Sequence, residues 1–368
     1  MTRTALRLPE FPWDALAPFA ETAQAHEGGA IDLSIGSPVD TTPHAAREAL
    51  AAASDSHGYP LAAGSIELRT AIVEWYARRR DVADLTVANV MPSIGSKELI
   101  GLLPLLLGVG RDDVVVHPAV AYPTYAIGAA LVGASVLASD DPAAWPENTA
   151  LVWVNSPSNP TGQVRDVEWL RAAVERARQI GAVIASDECY AGFDFASDMP
   201  TPSILDRAVI TGDRTGVLAL YSLSKQSNLA GYRAGILAGC SDLVGEILAV
   251  RRHVGLIPPA PVQAAMVAAL RDDAAVARQK ETYRARRDVL AAALTSAGYR
   301  IDGSRAGLYL WVTTGADCWA SLAEFAARGI LVAPGSFYGE NGATHVRLAL
   351  TATDTDIAEA ARRIARDL

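Results

Sequence analysis

The sequence predicts an α/β protein: a mainly parallel sheet covered by helices, followed by a smaller α+β domain. Three observations carry this. From about residue 65 to 240, short β-branched runs alternate with helical stretches, the pattern of a parallel sheet with helical crossovers. The runs are continuously apolar, as strands buried on both faces should be. After about residue 241 the chain changes to long helices and short strands.

In chain order, residues 1–30 begin Pro-rich (Pro9, Pro12, Pro18) and read as an arm followed by a short helix. Strands are predicted at Asp113–His117, Ala134–Ala138, Leu151–Asn155, Ala182–Asp187, Val217–Ser222 and Ala234–Ala238. A further short strand precedes Gly95. Helices are predicted at Lys97–Leu107, Tyr125–Val132 and Val167–Gln179, then at Ser241–Gly255 and Val262–Ala297. Short strands follow near Gly307–Val312, Ile330–Ala333 and Thr344–Leu350. The last helix, Thr355–Leu368, sets Ile357, Ala361, Ile364 and Leu368 on one face, which suits docking onto a core. A length of 368 residues exceeds what one hydrophobic core usually holds. The expected division is 1–40 as the arm and part of the small domain, 41–250 as the large domain and 251–368 as the small one.

Composition narrows the function. With 50% hydrophobic and 20% charged residues, the chain suits a compact enzyme. A net charge of −9 without a Lys/Arg block argues against nucleic acid as a partner. Cys189, Cys240 and Cys318 lie far apart, which suggests neither a disulfide framework nor a metal site and fits free thiols in a reducing cytoplasm. Met1 to Phe11 lacks the apolar stretch of a secretory signal. The run Leu99–Val109 is too short to span a bilayer. A cytoplasmic protein with no membrane partner is expected.

Polar signals gather at the C-terminal ends of the predicted strands, where open α/β sheets bind ligands. Lys225 follows the strand Val217–Ser222. Position alone favours an ordinary surface lysine, but only Lys97, Lys225 and Lys280 break an otherwise all-arginine basic set. A lysine in a dry pocket loses its preference for the charged form and can attack an aldehyde. Asp187 ends an apolar strand; it reads as a cap or turn residue, or as the partner of a protonated ring nitrogen. Asn155 to Gly162 is a turn by composition, either a plain connection or a stiff loop that presents the Asn159 amide. Gly95-Ser96-Lys97 opens a helix, where free N–H groups suit phosphate, although capping alone also explains Ser96. Arg233 is a surface arginine or a phosphate contact.

Taken together, these residues resemble the class I/II aminotransferases of pyridoxal-phosphate (PLP) fold type I over nearly the whole chain. The resemblance rests on Asn159-Pro160-Thr161-Gly162, Asp187-x-x-Tyr190, Ser222-x-Ser224-Lys225 with Gly231-x-Arg233-x-Gly235, and Arg347. It implies a seven-stranded sheet in the large domain. It implies that Lys225 carries PLP as a Schiff base and later shuttles a proton, while Asp187 pairs with the pyridinium nitrogen. Asn159 and Tyr190 are implied to bond the phenolic oxygen. Ser96, Lys97 (through its backbone N–H), Ser222 and Arg233 would hold the phosphate, Gly95 and Ser224 would also bind the cofactor, and Tyr122 would stack on the ring. Arg347 would grip the substrate α-carboxylate, with Asn159 beside it and the Gly36 loop closing over it. Tyr59, in Tyr59-x-x-x-x-Gly64-x-x-x-Leu68-Arg69, would reach the phosphate of a neighbouring subunit, making a homodimer with shared sites. The implied reaction is ping-pong transfer of an amino group between an amino acid and a 2-oxo acid.

Three stretches are similar to N-succinyldiaminopimelate aminotransferases of lysine biosynthesis: Leu8-Pro9-x-Phe11-Pro12-Trp13-Asp14, Pro92 to Leu99, and Val120 to Tyr125. That likeness implies N-succinyl-LL-2,6-diaminopimelate and 2-oxoglutarate as substrates, with Lys97, Arg251 and Arg252 as candidate distal donors. The competing expectations are an aminotransferase for aspartate, an aromatic amino acid or glutamate, and a PLP C–S lyase.

Overall fold

The computed structural model describes residues 8–196 and 201–365; positions 1–7 of the expected arm and Leu368 of the expected last helix lie outside them. A short strand β1 (Ile31–Asp32) precedes the main sheet. That sheet comprises β2 (Val90–Ile94), β3 (Val114–His117), β4 (Ser135–Ala138), β5 (Thr149–Asn155), β6 (Val183–Asp187), β7 (Val217–Ser222) and β8 (Ala234–Gly239). Their order is β2-β8-β7-β6-β5-β3-β4. β8 runs antiparallel to both neighbours, and the other pairs are parallel. The chain between β7 and β8 explains the exception: residues 223–233 are too few for the helical crossover that a parallel return needs.

The seven strands are buried as their apolar runs predict, with only edge strand β4 largely exposed. Along β5, Val152 and Val154 join one core with Trp75, Leu170 and Ile236, while Leu151 and Trp153 join the other with Leu103, Tyr125 and Leu237. This is the period-two alternation of a sheet covered on both faces. The helices have local causes. Asp166 accepts from Trp169 N at 2.8 Å and caps Val167–Gln179. Gly133, in the left-handed region, closes Thr124–Val132.

The smaller part holds β9 (Arg300–Ile301), β10 (Tyr309–Thr313), β11 (Ile330–Leu331), β12 (Ala333–Pro334) and β13 (Val346–Ala349). An antiparallel sheet runs β12-β13-β10-β9, and β1 pairs with β11 in parallel. That pairing attaches the segment before residue 40 to this core, where Leu33 packs with Leu310, Phe325, Leu348 and Ile357.

One expectation changes. The single helix Val262–Ala297 is two, Ala260–Arg271 and Asp273–Ser296. The Asp272 carboxylate accepts from Ala275 N at 2.9 Å and starts the second one, because an aspartate favours a cap over a helix interior. The division expected at 250 falls inside the helix Ser241–Val254. Beyond it, Ala260–Arg271 still buries Ala265, Met266 and Leu270 in the large core. The last helix is Asp354–Ala365. All three cysteines are free and buried. Among the described residues, no helix is long and apolar enough to cross a membrane.

Candidate active site

The ends of β6 and β7, the turn after β5 and the start of the helix Gly95–Leu106 enclose a cavity of about 330 Å³ with the smaller domain. Parallel register brings the key side chains level: Asn155 pairs with Asp187, and Asp187 with Leu220.

Asp187 is 5% exposed and lines the cavity. It accepts the Tyr125 hydroxyl at 2.9 Å and Cys189 N–H at 3.1 Å. Burial pushes its carboxyl pKa up; bonds from Cys189 and Tyr125 oppose this without cancelling it. Asn155 organises the turn behind it. Its amide donates to the Asp187 carbonyl at 3.0 Å, and its Oδ1 accepts Asn159 N–H at 2.7 Å. Ser156–Pro157 and Asn159–Pro160 are cis.

Ser222 ends β7 and accepts Ser224 N–H at 3.2 Å, capping the turn that presents Lys225. The Lys225 ammonium donates to the Gly36 carbonyl. Arg233 lies across Gly95, where a Cβ would sit 2.9 Å from its Cζ. Gly95 also has φ +73°, so only glycine lets the guanidinium and the helix start converge there. Ser96 follows in the first turn. The result is an anion cradle of helix N–H groups, serines and one arginine.

Arg347, on β13, is 3% exposed. Its Nη1 donates to Asn159 Oδ1 at 2.8 Å and its Nη2 to the Ser34 carbonyl at 2.6 Å. The guanidinium lies between two rings, 3.9 Å from the Tyr309 centroid and 5.0 Å from that of Tyr338. Burial opposes its charge, yet the tyrosines around it raise its pKa.

The structure therefore brings Gly36, Ser96, Lys97, Tyr122, Asn159, Asp187, Tyr190, Ser222, Ser224, Lys225, Arg233 and Arg347 to one cavity. Gly95 backs it against Arg233. Burial pushes the Tyr122 phenol up to about 12. Lys97 stands at the rim, 5.6 Å from the Phe11 centroid. Tyr59 lies outside the cavity and is fully exposed in the single chain. Arg251 and Arg252 do not line it. Arg251 instead turns to Glu98, at 2.7 Å, and to the Leu256 carbonyl. Sequence reasoning gave no role to Tyr125, Cys189 or Tyr309. Tyr125 had a signal, since it lies one helical turn from Tyr122. Tyr309 comes from a strand remote in the chain, with nothing local to mark it.

A doubly covered sheet whose strand ends carry a lysine, a buried carboxylate and an anion cradle defines an enzyme that binds an anionic, carbonyl-bearing group. The family model described as "Aminotransferase class I and II" matches residues 29–364. A probable aminotransferase of Mycobacterium tuberculosis is 54% identical over 358 residues, covering 97% of this chain and 85% of the relative. The 4-dedimethylamino-4-oxo-anhydrotetracycline transaminase OxyQ of Streptomyces rimosus is 50% identical over 358 residues, covering 97% and 99%. A solved structure described as a probable N-succinyldiaminopimelate aminotransferase of Thermus thermophilus superposes with a TM-score of 0.87 at 29% identity, covering 97% of this chain and 100% of that one. The chain belongs to the class I and II aminotransferases, a PLP-dependent family that acts on amino acids and 2-oxo acids.

The residues present fit that cofactor. Asp187 is a buried carboxylate whose partners are neutral, a place that a cationic ring nitrogen completes. The cradle around Gly95 and Arg233 suits a phosphate, and Lys225 faces the same space.

Proposed function

We propose that this protein is a transaminase in which Lys225 holds PLP and Arg347 holds the substrate α-carboxylate. One observation carries the reading. Among the described residues the buried arginines Arg80, Arg251, Arg286 and Arg363 each have a carboxylate partner, whereas Arg347 has only neutral ones. Its carboxylate is to come from outside.

In this reading Asp187 pairs with the ring nitrogen, and Asn159 and Tyr190 bond the phenolic oxygen. Tyr122 covers the ring. Gly95, Ser96, the Lys97 N–H, Ser222, Ser224 and Arg233 hold the phosphate. The bound cofactor supplies an electron sink for breaking the bonds of the substrate α-carbon and carries the amino group between half-reactions. Arg347 and the Gly36 loop orient the substrate by its carboxylate. The Lys225 Nζ, in its neutral form, would take the α-proton from the substrate and pass it on to the cofactor. A homodimer is part of the proposal: Tyr59, Leu61 and Ile66 form an exposed apolar group, which suits the shared site that the Tyr59 motif implies. Sedimentation at equilibrium checks it; a monomer at micromolar concentration refutes it.

For substrates we propose N-succinyl-LL-2,6-diaminopimelate as donor and 2-oxoglutarate as acceptor. Supporting this are the named Thermus structure and Lys97 at the rim, a cation for a distal carboxylate. Glutamate formation from this pair is the assay; no turnover refutes the substrate and leaves the family standing. A second reading follows from the OxyQ relative and the stacked Phe11 and Trp13 in the cavity wall, which suit a polycyclic ketone. Amination of 4-dedimethylamino-4-oxo-anhydrotetracycline with glutamate as donor, read as 2-oxoglutarate formed, decides between them. Release of pyruvate and ammonia without a 2-oxo acid would instead mark a lyase. Borohydride should bleach the visible absorbance and leave the reduced cofactor covalently on Lys225, and Lys225→Ala should purify colourless; an equally active Lys225→Ala protein refutes the cofactor assignment.

A further inference from the structure

No hydrogen-bonding role falls to Tyr309 in the reading above, yet it meets Tyr190, Arg347 and Gly36. It is 5% exposed and lines the cavity. Its hydroxyl lies 3.1 Å from that of Tyr190, and its ring carries the Arg347 guanidinium at 3.9 Å. The same hydroxyl lies so close to Gly36 that a Cβ there would overlap it. We propose that Tyr309 is a positioning residue for transamination, one phenol that fixes both the Tyr190 hydroxyl and the Arg347 guanidinium and so couples carboxylate capture to the cofactor ring.

The direction of the Tyr–Tyr bond follows from counting protons. Each phenol has one. If Tyr190 spends its own on the ring oxygen, Tyr309 must donate to Tyr190. The charges agree. Burial pushes the Tyr309 phenol up, but Arg347, Lys225 and the bond to Tyr190 outweigh it and hold it below its ordinary value. Burial and the neighbouring Tyr309 push Tyr190 well above its ordinary value. The more acidic hydroxyl donates to the more basic oxygen. The other titratable groups facing this pair are Cys189, Tyr122, Tyr283 and Tyr338, and burial pushes each of them up, which leaves them neutral near pH 7. A phenol that receives a hydrogen bond becomes the better donor, so Tyr309 strengthens the bond from Tyr190 to the cofactor.

The inference rests on the PLP and Tyr190 assignments, and the experiment separates the two levels. The visible absorbance of the purified holoenzyme is titrated with pH in the parent, Tyr190→Phe, Tyr309→Phe and the double variant, with thermal melts to confirm folding. Tyr190→Phe should raise the midpoint, since a lost donor to the ring oxygen leaves the adjacent imine proton held more tightly. Tyr309→Phe, which keeps the ring under Arg347, should raise it by about half a unit and leave the KM of the α-amino acid within about twofold. In the Tyr190→Phe background it should move nothing. Tyr309→Leu also removes the ring and should raise that KM about tenfold, without adding to the loss for an amine that lacks the carboxylate. An unmoved midpoint in Tyr309→Phe beside a moved one in Tyr190→Phe overturns the role of Tyr309 alone. Additive shifts overturn the coupling. An unmoved midpoint in Tyr190→Phe overturns the Tyr190 assignment and Tyr309 with it.

Discussion

Replacing Arg347 by lysine keeps a positive charge in the same strand and removes the fork. The guanidinium now makes two charged hydrogen bonds, to Asn159 Oδ1 and the Ser34 carbonyl, and lies between the Tyr309 and Tyr338 rings. An ammonium can keep one of those bonds and presents one point of charge where the arginine presents a plane. Losing one charged bond costs about 1.5–3 kcal/mol. Losing the stacked geometry adds about 1 kcal/mol. The total of roughly 2.5–4 kcal/mol predicts that kcat/KM for an α-amino acid falls about 10²- to 10³-fold at neutral pH. The assay that isolates the cause compares each amino acid with the amine left when its α-carboxylate is removed. Arg347→Lys should scarcely change the already poor rate of the amine. If both substrates lose rate equally, Arg347 acts by holding the domain together, and the carboxylate assignment fails.

Two predictions concern stability. Arg80 and Glu188 form an ion pair of 2.7 Å with both side chains almost wholly buried; Glu188 also accepts Ile204 N–H at 2.7 Å. Arg80→Ala strands that carboxylate and should cost about 3–5 kcal/mol, read as a lower urea midpoint; an unchanged midpoint refutes it. Asp302 is held at about 2 by bonds from Arg300 and His345. A depressed carboxyl stabilises the fold above its unfolded pKa, near 3.8, and that share is lost as pH falls through about 2. Asp302→Asn should therefore be less stable than the parent at pH 5 and converge with it toward pH 2; its exposure keeps the effect small. A gap that persists at pH 2 would exclude the ionised carboxylate as the cause.

The site was legible where chemistry and secondary structure coincide locally. Asp187 and Ser222 end apolar runs, Lys225 stands three residues past the end of β7, and strand ends are set by the sequence itself. What escaped was tertiary. Arg251 looked available for a distal carboxylate because nothing near it in the chain neutralises it; Glu98, 153 positions away, does. Tyr309 meets Tyr190 across 119 positions and sits in a strand whose other residues are ordinary core. By contrast, the break at Asp272 was readable. Two consecutive aspartates opening a helical stretch are a start signal, overridden by the long apolar period on either side.

The pairing of buried charges yields a test that needs no substrate. Among the described residues, the buried carboxylates Glu188 and Asp194 are matched by Arg80 and Arg305. Asp187 has no cation, and Arg347 has no anion. Both line the same cavity. A buried charge left unpaired costs several kcal/mol of stability, so the folded protein without ligand holds two charges that only ligands can satisfy. Burial raises the Asp187 carboxyl. The sign follows: a carboxyl raised in the fold favours folding below its unfolded pKa, and that share is lost as pH climbs through the folded one. Whenever it is ionised, Asp187 therefore weakens the cofactor-free protein. Asp187→Asn should melt higher than the parent when both are freed of cofactor at pH 7, and the difference should shrink as pH falls toward 4. Adding PLP should reverse the order, because a ligand at about 100 times its Kd stabilises the parent by about 2.7 kcal/mol and the asparagine cannot pair with a ring cation. A cofactor-free asparagine variant that melts below the parent at pH 7 would mean that Asp187 is already satisfied within the protein, and the argument for an external cation at that place would be lost.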